Sequence, residues 1–130
     1  MDDYTAALRA HLAEAAPFVS GYTVDTVYFG GGTPSYLGEK RLARLLKLIE
    51  KKYRLARELE VTLEANPDSA GDWKVLRALR KAGFNRLSLG MQAADDGLLR
   101  EIGRIHTMGQ VRAAVEAARK AGFQNLSLDL

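Results

Sequence analysis

The sequence has 130 residues and contains no cysteine. This absence excludes disulfides and thiolate metal sites within these residues, and it fits a reducing cytoplasm, where we expect the protein to reside. Histidine is almost as scarce, because only His11 and His106 occur and their spacing is not that of metal ligands. Ligand binding by these residues must therefore rely on oxygen and nitrogen side chains or on the backbone.

Long apolar runs and a strong charge imbalance are also missing. No run approaches the ~18 apolar residues of a membrane span, and the N-terminal "MDDYTAALRAHLAEAA" lacks the continuous apolar segment of a secretory signal. The net charge is only +3. The basic residues are scattered over helical segments such as residues 41–57, so we predict no nucleic-acid partner.

What the sequence does contain is a regular alternation of helix and strand patterns. An amphipathic helix is predicted over residues 2–16, and βα units follow over 24–130, with no linker dividing them. Such alternation indicates an α/β fold with parallel strands and crossover helices. The predicted strands cover 24–29, 58–66, 86–92 and 125–130, and the predicted helices cover 39–53, 72–83, 95–103 and 107–122, the last opened by a capping box of Thr107 and Gln110.

One segment is nearly repeated. "RKAGFNRLSLG" begins at Arg80, and "RKAGFQNLSLDL" begins 39 residues later at Arg119. The repeat favours a recurring βα unit, which occurs both in barrels and in open doubly wound sheets. Because the last strand stops at a carboxylate, Asp129, we expect a piece truncated at both ends of a larger fold.

A run of three glycines follows the first predicted strand in "VYFGGGTPSYL", residues 27–37. No "GK[ST]" follows, so this is not a Walker loop, and Pro34 and Ser35 break the dinucleotide-binding spacing. A tight turn and a close backbone approach to a ligand remain equally good interpretations of the glycines alone.

Every predicted strand except the first, which ends in glycines, ends in a polar side chain. In parallel α/β folds the carboxyl ends of the strands form the ligand site. The same edge of the sheet should therefore gather several groups that packing alone would not select. These are Gly30, Gly31, Gly32 and Thr33 after the first strand, Glu64 and Asn66 after the second, Gly90 and Gln92 after the third, and Asp129 on the fourth.

Each of these residues also has an ordinary structural interpretation. Glu64 and Asp129 would serve equally as rim carboxylates in salt bridges or caps, or as acceptors for vicinal hydroxyls or an ammonium group. Gln92 is as well explained as a surface amide. In the loop "GRIHT", a lone His106 is more often structural or solvated than a ligand.

Four ordered segments together resemble the oxygen-independent coproporphyrinogen III oxidase family of radical S-adenosylmethionine proteins. The resemblance runs from about Val24 to the end of the chain, and the preceding helix also fits. Within the family, "GRIHT" is most similar to the HemW branch of haem chaperones. The segments are "VDTVYFGGGTPSYL", "LEANPD", "RLSLGMQAADDGLLREIGRIHT" and "AGFQNLSLDL".

The resemblance implies that residues 1–130 form a single partial (β/α) barrel of the radical S-adenosylmethionine type, with the cofactor at the C-terminal strand ends. An Arg at that edge can pair with the methionine carboxylate through two hydrogen bonds. The family's cofactor contacts correspond here to Gly31, Gly32, Thr33, Glu64, Gln92, Arg104 and Asp129.

The resemblance also implies a [4Fe–4S] cluster held by a C-x-x-x-C-x-x-C run, which this sequence lacks. Without the electron that a cluster supplies, the cofactor's S–C bond is not cleaved, so we expect this chain alone to be inert. Haem or porphyrin would bind through parts of the fold outside these residues. An incomplete barrel leaves sheet edges open, so we also expect self-association.

Without the resemblance, the residues are also compatible with two other functions. One is a non-catalytic α/β binding or interaction module that has lost the cluster. The other is a metal-dependent or sugar-binding α/β enzyme that uses Glu64 and Asp129 as a carboxylate pair.

Overall fold

The computed structural model describes residues 1–130, and its elements follow the predicted alternation closely. The second strand along the chain begins earlier than predicted, at Leu55, and the third ends earlier, at Gly90. The helices are α1 (Asp2–Ala15), α2 (Glu39–Lys52), α3 (Trp73–Ala82), α4 (Asp96–Glu101) and α5 (Met108–Ala121), with 3-10 turns at Ala16–Val19 and Pro34–Leu37. The strands are β1 (Val24–Phe29), β2 (Leu55–Ala65), β3 (Arg86–Gly90) and β4 (Asn125–Asp129).

The four strands form one parallel sheet in the order β1-β2-β3-β4. Each strand pairs with the next strand in sequence, so every connection crosses over through helical segments. The register places Gly90 opposite Asp129, and Ala65 opposite Leu89. The carboxyl ends of the strands therefore meet along one rim, as the sequence predicts.

The two faces of the sheet differ sharply in chemistry because side chains alternate along a strand. One face packs against α2, α3 and α5 in a single apolar cluster of 16 buried residues. The strands supply Val61, Leu63, Leu87 and Leu89 to this cluster. Helices gathered on one face of a sequentially ordered parallel sheet are typical of a partial barrel and not of a doubly wound sheet.

The opposite face of the sheet is polar, and we refer to it as the inner face. Parallel strands are usually apolar on both sides, because helices usually cover both sides. A polar face is therefore a departure that packing does not explain. The inner face carries Tyr28, Glu60, Thr62, Glu64, Arg86, Ser88, Ser127 and Asp129.

The repeated segment noted in the sequence is also a structural repeat. Helices α3 and α5 both end at a left-handed glycine, Gly83 at φ 116° and Gly122 at φ 99°. The next residues, Phe84 and Phe123, donate their N–H to the last helical turn and are buried in or beside the same core. Each glycine cap thus turns the chain into the strand that follows it.

Helix α1 packs against α2 and covers an apolar cavity of about 440 Å³ beside β1, the first edge strand. Tyr4, Leu8 and Leu12 of α1 line it together with Val27 and Phe29 of β1. The helix is less buried than its apolar spacing predicts, since Tyr4 is 61% exposed. None of the helices is both long and apolar enough to cross a lipid bilayer.

The cap geometry gives a stability prediction. Gly122→Ala forces an L-residue to adopt φ 99°, so we expect the free energy of unfolding to fall by about 1–2 kcal/mol. Gly109→Ala, inside α5 with ordinary φ, is the matched control and should raise it by about 0.5 kcal/mol. Urea unfolding of both variants tests this, and equal stability of Gly122→Ala and the parent would contradict it.

Candidate functional site

A polar recess of about 240 Å³ lies at the carboxyl ends of the strands. Six of the seven predicted site residues line it, and Gly31 lies next to it in the glycine loop. The lining consists of Gly32, Thr33, Glu64, Ala65, Asn66, Ser88, Gly90, Gln92, Arg104 and Asp129.

The glycine loop adopts backbone conformations that other residues rarely reach. Gly31 has φ 81° and Gly32 has φ 64°, and a Cβ on either would meet only open space. At Gly30 a Cβ would lie 2.5 Å from the Tyr28 ring and 3.0 Å from the Glu64 carboxyl carbon. The loop therefore needs glycine for its turn and for the close approach of Glu64. The tight turn expected from the sequence is present, and a close approach of this backbone to a ligand stays a prediction.

Glu64 connects the glycine loop to the sheet. Its carboxylate accepts a hydrogen bond from the Tyr28 hydroxyl at 2.5 Å and one from the Gly31 N–H at 3.2 Å. The hydrogen bond to Glu64, followed by desolvation, raises the pKa of Tyr28 above its ordinary value of 10.0. The carboxylate is thus fixed at the rim, with lone pairs left for a ligand.

Loop residues after β1 and β2 are joined by side-chain hydrogen bonds. The Asn66 amide donates to the Thr33 hydroxyl at 3.2 Å, and the Tyr36 hydroxyl donates to Asp68 at 2.8 Å. The hydroxyls of Ser35 and Ser69 pair at 2.7 Å. These contacts hold Thr33 at the edge of the recess.

Gln92 is held in a strained turn. It has φ 70°, the only positive φ at a residue other than glycine. Its N–H donates to the Asp129 carbonyl at 2.7 Å, and the neighbouring Met91 carbonyl lies 3.1 Å from Nε2 of His106. His106 is only 4% exposed, so it is a structural histidine that supports this turn.

Arg104 and Asp129 complete the charges of the recess. Arg104 is half-buried, and its guanidinium has no hydrogen-bond or salt-bridge partner within the chain. The side-chain carboxylate of Asp129 accepts only from the Ser88 hydroxyl, at 3.0 and 3.1 Å to its two oxygens. The recess therefore holds two carboxylates, Glu64 and Asp129, and one unpaired cation.

Sequence reasoning missed two residues of this site. Ser88 lines the recess and donates to Asp129, and Tyr28 donates to Glu64. Alternation along each strand contained the signal: Tyr28 lies between core-facing Val27 and Phe29, and Ser88 lies between Leu87 and Leu89. No group of three or more His, Cys, Asp or Glu side chains lies close enough to hold a metal ion.

Comparison with known proteins gives consistent matches along the whole chain. The sequence profile of the Radical SAM superfamily matches residues 2–130. The chain is 44% identical over 130 residues to the heme chaperone HemW of Mycobacterium tuberculosis, covering 99% of this chain and 33% of that protein. It is 33% identical over 129 residues to the oxygen-independent coproporphyrinogen III oxidase of Escherichia coli, covering 99% and 28%.

The solved structures agree. The solved structure of the coproporphyrinogen III oxidase HemN from Escherichia coli, described as a radical SAM enzyme, matches with a TM-score of 0.88 at 33% identity over 99% of this chain and 30% of that chain. The chain thus spans about a third of the length of the curated relatives it matches.

The hydrogen bond between Tyr28 and Glu64 gives a pH prediction. The raised pKa of Tyr28 means that this bond stabilises the fold below the ordinary tyrosine pKa and is lost as pH rises through the raised value. Glu64→Ala should therefore let Tyr28 ionise at a lower pH, as measured by tyrosinate absorbance against a Tyr28→Phe reference. Asp68→Ala is the control, because it should lower the pKa of Tyr36 and leave Tyr28 unchanged.

Proposed function

Because this chain belongs to the Radical SAM superfamily, we propose that its polar recess binds the amino-acid end of S-adenosylmethionine. One observation carries the proposal. An Arg104 guanidinium without a protein partner shares a small recess with two carboxylates at the carboxyl ends of parallel strands. A zwitterionic ligand needs this combination of charges.

The proposed roles follow from what each group can donate or accept. Arg104 pairs with the methionine carboxylate, since guanidinium matches a carboxylate through two parallel hydrogen bonds. Glu64 accepts from the α-ammonium group, beside the backbone of Gly31, Gly32 and Thr33. Gln92 offers an amide, and Asp129 accepts from ribose hydroxyls or from the ammonium.

The residues present fit this cofactor in charge. S-adenosylmethionine carries an ammonium and a sulfonium against one carboxylate, so its net charge is positive. The recess carries two carboxylates against one guanidinium, so its net charge is negative. The glycines leave open space beside the recess where a Cβ would otherwise project. The complementarity supports binding of the cofactor as an intact cation.

The residues present do not fit an iron–sulfur cluster. There is no cysteine, and thiolates are the ligands that hold such clusters. A cluster supplies the electron for reductive cleavage of the cofactor, so we propose that these 130 residues alone bind S-adenosylmethionine without cleaving it. A non-catalytic binding module is the second candidate function, and the same absence of thiolates favours it.

We further propose a role in haem or porphyrin metabolism for the protein to which these residues belong. The relatives named above are a heme chaperone and a coproporphyrinogen III oxidase, and the chain covers about a third of each. The chain is 44% identical to the chaperone named above and 33% identical to the oxidase, which favours the chaperone branch of the family. Haem or porphyrin would contact parts of the protein beyond these residues, because His106 is buried and bonded to the backbone.

Binding of the cofactor is directly testable. Calorimetric titration with S-adenosylmethionine should show affinity reduced about tenfold or more by Glu64→Ala, by Arg104→Ala and by Asp129→Ala, since each removes a charge-assisted hydrogen bond. Glu58→Ala, on the same strand as Glu64 but at its exposed, distant end, is the matched control and should bind like the parent. Equal binding by the parent and all three site variants would refute the proposed site.

We also propose that the 130-residue polypeptide self-associates through its sheet edges. Strands β1 and β4 each have one unpaired side. Leu128 of β4 and Leu130 just after it are exposed, and the apolar cavity under α1 lies beside β1. Since all four strands are parallel and in sequence order, β4 of one copy can pair with β1 of another, and the reciprocal pairing closes a ring of two sheets.

Sedimentation velocity tests this proposal. The parent polypeptide should sediment as a dimer or larger species, and Leu128→Lys should shift it toward the monomer, because a charged side chain opposes pairing at an edge strand. Ile105→Lys, at an exposed apolar residue in the loop between α4 and α5, is the control. A parent that sediments as a compact monomer at all concentrations would contradict the proposal.

A further inference from the structure

The inner face carries a continuous row of hydrogen bonds that ends at Asp129. The Arg86 guanidinium donates through Nη2 to the Ser127 hydroxyl at 3.3 Å. The Ser127 hydroxyl donates to the Ser88 hydroxyl at 2.9 Å, and the Ser88 hydroxyl lies 3.0 and 3.1 Å from the two carboxylate oxygens of Asp129. The row connects the amino end of β3, at Arg86, to the recess.

Strand register explains why these four residues meet. Ser88 of β3 is paired directly with Ser127 of β4, and Gly90 is paired with Asp129. Arg86 and Asp129 each lie two residues from the Ser pair, so all four side chains project from the same face as direct or diagonal neighbours. Shifting either strand by one residue would move its members of the row to the apolar face.

The chemistry of the end groups fixes the direction of every bond in the row. A guanidinium can only donate, an ionised carboxylate can only accept, and each serine hydroxyl has one proton. Arg86 must therefore donate to Ser127, Ser127 to Ser88, and Ser88 to Asp129. Hydrogen bonds aligned in one direction between a cation and an anion polarise and strengthen one another.

The other terminal nitrogen of the Arg86 guanidinium makes contacts that are not part of the row. Nη1 of Arg86 donates to the Thr62 hydroxyl at 3.3 Å and lies 3.8 Å from a carboxylate oxygen of Glu60. Ser88 is 4% exposed and Thr62 is 1% exposed. The Ser88 hydroxyl donates its single proton to Asp129, so it has no proton left to donate to a ligand. Its contribution to the recess is therefore the orientation of that carboxylate.

We propose that Ser88, Ser127 and Arg86 are positioning residues that orient the Asp129 carboxylate toward the recess. The inference rests on the proposed function, since it concerns how tightly the recess holds the hydroxyl- or ammonium-bearing part of S-adenosylmethionine. A carboxylate turns readily about its last side-chain bond. The Ser88 hydroxyl removes that freedom and leaves the outward lone pairs of Asp129 for the ligand.

The first test is a double-mutant cycle read by calorimetric titration with S-adenosylmethionine. Ser88→Ala should weaken binding about tenfold and Ser127→Ala by a smaller factor, as supporting hydrogen bonds do at other sites. Ser88→Ala should cause no further loss when Asp129 is already Ala, because its effect acts through that carboxylate. Ser88→Thr, which retains the hydroxyl, should bind S-adenosylmethionine with the affinity of the parent.

Thr62→Ala is the matched control. This substitution removes a buried hydroxyl on the same face that bonds the same guanidinium through Nη1. The row to Asp129 begins at Nη2 and stays unbroken, so the affinity should stay at the parent value. If Ser88→Ala and Thr62→Ala weaken binding equally, the effect is general loss of structure and the inference is wrong. If Asp129→Ala weakens binding and Ser88→Ala does not, the inference fails while the proposed cofactor site stands.

A second readout does not depend on ligand. The side-chain carboxyl carbon-13 signal of Asp129 in the free protein should shift in Ser88→Ala, shift less in Ser127→Ala and stay fixed in Thr62→Ala. An unchanged Asp129 signal in Ser88→Ala would overturn the inference. If the parent and Asp129→Ala bind S-adenosylmethionine equally, the proposed role of Asp129 fails, and this signal still decides whether Ser88 positions the carboxylate.

Discussion

The parallel pairing of each strand with the next one in sequence is the constraint on which the rest of this molecule depends. It places the carboxyl ends of β1 to β4 along one rim, and it gives every strand one face toward the helices and one away from them. The apolar face supplies the core through residues such as Leu63 and Leu87. The polar face is thereby left free to serve a ligand, because stability is already secured on the other side.

The recess shows how a parallel sheet converts sequence positions that are far apart into one site. Glu64 and Asp129 are separated by two βα units, yet both lie at strand ends that register brings to the same rim. Around them the backbone has positive φ at Gly31 and Gly32, which glycine adopts without strain, and at Gln92, where a residue with a Cβ is strained. Such strain concentrates where a fold serves a ligand. The buried His106 supports the strained turn of Gln92 through the Met91 carbonyl.

Much of this could be predicted from the sequence, because helix and strand periodicities differ and strand ends are marked by glycine and polar residues. The capping box at Thr107 is confirmed, as is the alternation of elements. The start of β2 was missed, since residues 55–57 carry no alternating pattern and become a strand only by pairing with β1 at Val24. Ser88 was missed because a serine in a strand has no distinctive signal until its partner Asp129, 41 residues away, is placed beside it.

The central claim is that the rim of this sheet binds the amino-acid end of S-adenosylmethionine. Backbone amide NMR spectra recorded during titration with the cofactor test it most directly. The account predicts shifts that saturate and that concentrate at Gly31, Gly32, Gln92 and Asp129, while amides at the opposite strand ends, such as Glu58 and Asn125, stay fixed. Shifts spread evenly over the chain, or centred on the opposite end of the sheet, would contradict it.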